Sequence, residues 1–211
     1  MSYVTRLGWD ADGVVLDSRA TAWSVTEGIV ALFGPRPIIG SQERNKEAFG
    51  KAAQVRMAGT DGATTLRAMH RVLMRARSDE VGRFDAVLDV VEQSAIPPLL
   101  ITAAYAQGVY QALGDRARLF GAILGREDGA KDALIARAAS DGMRWYVTDT
   151  VRDLARCRAA GVGVIAVSWG YDPHPRLAEA RPDALATTPK ELADCLMQLG
   201  LMNICNMTNG S

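Results

Sequence analysis

Histidine occurs only twice in the 211 residues. Cysteine is nearly as scarce. Cys157, Cys195 and Cys205 are odd in number, form no C-x-x-C pair and suit neither a disulfide framework nor a zinc site. Their sparseness reads as a reduced, cytoplasmic chain. Aromatic residues make up only 6%, so aliphatic and alanine side chains must fill most of the core. Charge of one sign is missing as well: 24 Lys plus Arg balance 24 Asp plus Glu. That balance argues against a nucleic-acid partner, which needs a basic face. No apolar run approaches the roughly 20 residues of a spanning helix, and the opening residues carry no apolar signal core, so no membrane association is expected.

What is present is short, β-rich apolar runs alternating with helical patterns. The runs are 3–9, 98–102, 118–124, 144–148 and 163–168. Their apolar character is continuous rather than alternating, which predicts strands buried on both faces, as in a parallel sheet. Helical patterns fall at 105–113, 131–139, 153–160 and 189–199. Strand–helix–strand repetition implies right-handed crossovers and a doubly wound α/β core. One interval breaks the alternation. Residues 19–82 hold no convincing strand, only a helix capped by Ser18, a second from Ser41 to near Gly59, and a third capped by Asp61. Such a length exceeds a crossover and reads as a helical module inserted into a core of 1–18 and 83–211.

Chemistry concentrates where strands end. Asp10-Ala11-Asp12-Gly13 follows the first strand, and Thr102 ends the second. Lys131 opens a helix, and Asp149 and Asp153 straddle the turn after the fourth strand. In an open α/β sheet this edge is the ligand-binding edge. Taken singly, each feature has a plain structural reading: an acidic turn, a strand-end threonine, a surface lysine, a helix-start aspartate. Jointly they place acids, a hydroxyl and a cation at one rim.

The set resembles the haloacid dehalogenase superfamily of phosphohydrolases, in which D-x-D-G opens the chain, a Thr or Ser ends the next strand, a Lys follows and a D-x-x-x-D pair closes the set. Residues 148–171, T-D-T-V-R-D-L-A-R-C-R-A-A-G-V-G-V-I-A-V-S-W-G-Y, look like the phosphoglycolate-phosphatase-like branch, and the helical insertion sits where that branch carries an α-helical cap. The chain departs from the pattern at Thr148, where Gly or Ser is usual, at Ala103, where Asn is usual, and after Lys131, which lacks the customary proline. Arg126 therefore competes with Lys131 for the motif-lysine role.

The resemblance implies a Rossmann-like core with a helical cap, and a phosphatase acting on a small phosphorylated metabolite. Asp10 is then the nucleophile and Asp12 the acid/base. Thr102 and Lys131 bind the phosphoryl group, and Asp10, Asp12, Asp149 and Asp153 hold Mg²⁺. Arg44 and Lys46, in the turn opening the second cap helix, are expected to contact the leaving group. A monomer or homodimer is expected. Other readings on the same fold are a phosphosugar mutase, a haloacid dehalogenase and a catalytically inactive phospho-ligand binder. The presence of Asp12 disfavours the dehalogenase, because halide departure needs no proton. A phosphonatase would need a cap lysine, and Lys46 and Lys51 lack a desolvating context. A receiver-like domain would place its lysine after the last acid, whereas Lys131 precedes Asp149.

Overall fold

The computed structural model describes residues 6–33 and 65–202. Six parallel strands form one sheet in the order β5-β4-β1-β6-β7-β8. They are β1 (Arg6–Trp9), β4 (Leu99–Ile101), β5 (Ala122–Leu124), β6 (Met143–Thr148), β7 (Gly163–Val167) and β8 (Ala184–Ala186). From β1 the chain winds outward through β4 and β5. It then crosses back to the other side of β1 and winds out through β6, β7 and β8. The order reverses beside β1, which makes its carboxyl end the switch point of the sheet.

Strand side chains alternate between faces. Val147 and Ile165 join one apolar cluster, which also takes in Trp9, Leu100 and Ile123. Their neighbours Tyr146 and Val164 join another, together with Ile101 and Met143. On the first face lie α3 (Asp85–Glu92), α4 (Ala106–Leu113) and α8 (Pro189–Gln198), through Val87, Leu88, Val109, Leu192 and Leu196. On the second lie α5 (Lys131–Ser140) and α6 (Val151–Ala159), through Leu134, Ile135, Leu154 and Cys157. A helix α7 (His174–Glu179) bridges β7 to β8. Burial on both sides is why these strands read as unbroken apolar runs. Each fully buried Leu or Ile contributes roughly 1.5–3 kcal/mol before cavity effects.

Where the insertion departs and returns, β2 (Leu16–Asp17) pairs antiparallel with β3 (Gly82–Arg83), with Leu16 opposite Arg83. The two crossings are thereby held side by side. Within the described part of the insertion, α1 (Arg19–Phe33) packs through Val25 and Ile29 against Leu66 of the helix 65–76, here α2. The expected helix from Ser41 to Gly59, the Asp61 cap, Lys51, and the leaving-group candidates Arg44 and Lys46 lie outside the described residues.

Two local expectations differ from the structure. The strand expected over 118–124 is only Ala122–Leu124, preceded by a 3-10 segment, Gly114–Leu119. Arg116 turns from that segment to Asp89 and Glu92 on α3, at 2.5 and 3.4 Å, instead of entering the sheet. The helix α6 begins at Val151 rather than Asp153, because Thr150 caps it: the Asp153 amide donates to Thr150 Oγ1 at 3.2 Å. Ser18 stands at the N-cap position of α1 as expected, its carbonyl accepting the Ala22 amide at 2.8 Å, and its hydroxyl meets Tyr171 Oη at 2.9 Å. No helix among the described residues is long and apolar enough to cross a membrane.

Candidate active site

The turn after β1 is built from one carbonyl. Ala11 C=O accepts the amides of Val14, Val15 and Leu16, at 3.0–3.3 Å, which folds residues 11–16 into a tight cap on the strand end. Gly13 takes φ +78°, and a Cβ there would lie 2.2 Å from Asp149 Oδ2. The D-x-D-G glycine is therefore required twice, for its backbone angle and for the approach of the turn to Asp149. Gly170, after β7, meets the same carboxylate: a Cβ there would also stand 2.2 Å from Asp149 Oδ2. The Tyr171 amide donates to that oxygen at 2.5 Å, and Trp169 Nε1 donates to the Val14 carbonyl at 3.2 Å. The loop after β7 thus clamps Asp149 against the Asp10–Gly13 turn.

Asp10 stands at the end of β1, its amide donating to the Val147 carbonyl of β6 at 2.9 Å. Its Oδ1 accepts from the Ala11 amide at 2.8 Å and lies 2.6 Å from Lys131 Nζ. The same ammonium donates to Asp153 Oδ2 at 2.5 Å. Arg156 takes the other Asp153 oxygen. Asp10, Asp149, Asp153 and Lys131 are all buried, at 4%, 0%, 3% and 6% exposure. The Lys131 stem runs past the Tyr146 ring, Nζ 5.8 Å from its centroid, while Tyr146 Oη donates to the Ile101 carbonyl at 2.8 Å. Lys131, not the exposed Arg126, is the cation against Asp10. Thr102 is fully buried at the end of β4, its Oγ1 accepting the Ala104 amide at 3.0 Å. Asp12 is half-buried in the turn.

The electrostatics of this cluster are unbalanced. Burial raises Lys131's cost as a cation, yet Asp10 and Asp153 hold its pKa above the ordinary value. Burial also opposes the Asp153 anion, but Lys131, with hydrogen bonds from its neighbours, holds that carboxyl well below the usual range. Asp10 goes the other way. Burial pushes its carboxyl well up, Lys131 opposes, and the charges on Asp153 and Asp149 push it further. Lys131 and the Arg156 guanidinium therefore leave the three buried carboxylates one positive charge short. A divalent cation beside Asp10 and Asp149 would supply it. Among the described residues no three acidic, imidazole or thiol side chains form a metal cage. Mg²⁺ typically takes only one or two carboxylates, completing its shell with water and substrate phosphate oxygens. Two carboxylates and a nearby main-chain carbonyl at Asp12 fit that habit.

No family model matches the chain. A phosphoglycolate phosphatase from Synechococcus elongatus is 26% identical over 205 residues, covering 90% of this chain and 96% of that one. A haloacid dehalogenase-like hydrolase from Streptococcus pneumoniae superposes with TM-score 0.74 at 20% identity, over 93% of this chain and all of that one. A Clostridium acetobutylicum structure described as a predicted phosphatase gives 0.77 at 17% identity, with the same coverages. The chain shares the fold of these haloacid dehalogenase-like structures and is similar in sequence to that phosphoglycolate phosphatase.

In the haloacid dehalogenase-like fold of this chain, Asp10, Thr102, Lys131, Asp149 and Asp153 come together at one sheet edge, with Asp12 on its rim. Sequence reasoning did not single out Tyr171, Gly170 or Asp172 as site residues. Tyr171 and Gly170 hold Asp149, and buried Asp172 accepts the Val151 amide at 2.9 Å, fixing the start of α6. The W-G-Y-D run carried the signal: a glycine between two aromatics directly after a core strand.

Proposed function

We propose that this chain is a Mg²⁺-dependent phosphatase that cleaves small phosphate monoesters through an aspartyl-phosphate on Asp10. The observation that carries the reading is the buried Asp10–Lys131–Asp153 bridge beside Asp149 at the switch point of the sheet. Phosphate monoesters hydrolyse so slowly that rate gains up to ~10²¹ are called for, and a carboxylate nucleophile divides the barrier into two steps. An Asp10 oxygen attacks phosphorus as the ester P–O bond breaks, and Asp12 gives its proton to the departing alkoxide. A water molecule then attacks the phosphorus of the acyl phosphate, returning a proton to Asp12. Inorganic phosphate leaves and the Asp10 carboxylate is restored.

Thr102 and Lys131 bind phosphoryl oxygens, where transition-state charge spreads. Asp10, Asp149 and the Asp12 carbonyl hold the metal, which when bound offsets the repulsion between carboxylate and phosphate. Asp153, both of whose oxygens are engaged by cations, orients Lys131 instead of ligating metal directly. The helical insertion of residues 19–82 acts as the cap over this edge and selects the leaving group. Hydrolysis of an aryl phosphate by wild type and Asp10→Asn, with and without Mg²⁺, tests the proposal. Activity should require both the metal and Asp10. Undiminished turnover in Asp10→Asn would sink the nucleophile assignment.

A further inference from the structure

Four arginines gather at the seam between α2 and the core, two of them on Tyr105. Arg67, Arg71 and Arg75 recur every fourth residue and so share one face of α2. Tyr105 faces them, three residues beyond Thr102. The Arg75 guanidinium stands 5.7 Å from the Tyr105 ring centroid and hydrogen-bonds Gln107, while Arg71 reaches the tyrosine hydroxyl. Arg126 enters from the core, its amide donating to the Ala104 carbonyl at 2.8 Å, and its charge bears on Arg71.

One carboxylate, Asp79, lines the same cleft as Arg75 and Tyr105. Among the described residues none of the four arginines forms an ion pair. Glu127, next to Arg126, is directed instead to the Ala106 amide, at 3.0 and 3.2 Å. Arg71 Nε is shielded from water and has no acceptor among the described residues. Burial, with the guanidiniums of Arg126 and Arg67, makes the Arg71 cation harder to hold than a solvated one. Like charges crowded together without counter-charge are stabilised when an anion binds between them.

The cluster borders the proposed phosphoryl site on two sides. Ala104 ties the Arg126 loop to Thr102, through the Ala104 amide and Thr102 Oγ1. On α2, the residue before Arg71 is His70, which lies near both the Ala22 carbonyl and Asp12. Thus α2 crosses the rim from Asp12 to Tyr105. If Asp12 protonates the leaving alkoxide, the leaving group sits beside that helix.

We infer that Arg71 and Arg126, with Arg67 one turn before Arg71 on α2, form a subsite beside Tyr105 for a second anionic group, a carboxylate or a phosphate, borne by the leaving alcohol. The inference rests on the proposed phosphatase reading and deepens it.

Binding to Asp10→Asn protein tests it without turnover. The probes are phosphoglycolate, its uncharged amide analogue, and the bisphosphate of ethanediol. The account expects phosphoglycolate or the bisphosphate to bind roughly 10–100-fold tighter than the amide, as a charge-assisted bidentate pair provides. Whichever does so identifies the anion. Added Arg71→Gln or Arg126→Gln should erase that difference while leaving amide binding within about two-fold, and Arg71→Lys should retain part of it. Equal affinity for charged and uncharged esters, or variants that weaken both alike, would overturn the subsite. Aryl phosphate turnover by the wild type reports separately on the phosphatase reading, so either idea can fail alone.

Discussion

Lys131 shows how much one side chain holds. It neutralises two carboxylates that sit at 4% and 3% exposure, so removing it leaves both without their shared cation. Lys131→Met should cost about 3–5 kcal/mol, the usual penalty for stranding a buried charge, measurable by urea denaturation. Asp10→Asn should do the opposite in metal-free protein. It removes a carboxylate that burial and the charges of Asp153 and Asp149 disfavour. The melting temperature should rise by ~2–4 °C per kcal/mol regained. Added Mg²⁺ should raise it for wild type and not for the variant. The signs of the pH dependence differ within the pair. Asp10, raised, adds stability at low pH that disappears as pH climbs through its folded value. Asp153, depressed, adds stability above its ordinary value of 3.8 that is lost as pH falls below it. Asp153→Asn should therefore flatten the acid limb of the stability curve; an unchanged acid limb would contradict the pairing. Gly170→Ala should destabilise by roughly 1–3 kcal/mol, since its Cβ meets Asp149 Oδ2.

At the scale of elements, caps and close approaches explain what could be read ahead of the structure. The core strands were legible because a strand packed on both faces must be apolar at every position, as at Leu99–Ile101 and Gly163–Val167. Strand ends carrying Asp10, Thr102 and Asp149 were legible for the same reason: polarity returns abruptly there. β8 escaped because Ala184–Ala186 is a short edge strand with little β-forming character. α3 escaped because it follows the two-residue strand β3 almost at once, with no capping side chain to announce it. The role of Tyr171 was not legible, since its bond to Ser18 spans the sequence and exists only once β7 lies near β1. Thr150 is the N-cap of α6, and α6 positions Asp153. Thr150→Ala should cost about 1 kcal/mol and weaken phosphate release rates more than Thr188→Ala, an equivalent cap on α8 far from the site. Equal catalytic effects of the two would contradict the positional argument.

Over the whole molecule, the proposed phosphatase draws on a rigid sheet edge for the phosphoryl group and assigns discrimination to the insertion. β2 and β3 pin both ends of the insertion next to the Asp10 turn. In that proposal the core handles the phosphoryl group, and the arginine face of α2 handles what leaves. Cys157, at the back of the Lys131–Asp153 pair, has its thiol pushed up to about 12, first by burial and then by Asp153. It should resist alkylation at pH 8 in native protein and label rapidly after unfolding, as site-resolved mass spectrometry can check. The central claim is that Asp10 carries the phosphoryl group between ester and water. Rapid acid quenching of wild-type protein turning over an aryl phosphate with Mg²⁺, followed by peptide mass spectrometry, reads this directly. The account predicts an acid-stable phosphoryl adduct on the peptide bearing Asp10, lost in Asp10→Asn together with turnover. Turnover that persists in Asp10→Asn, or an adduct located on another residue, would contradict it.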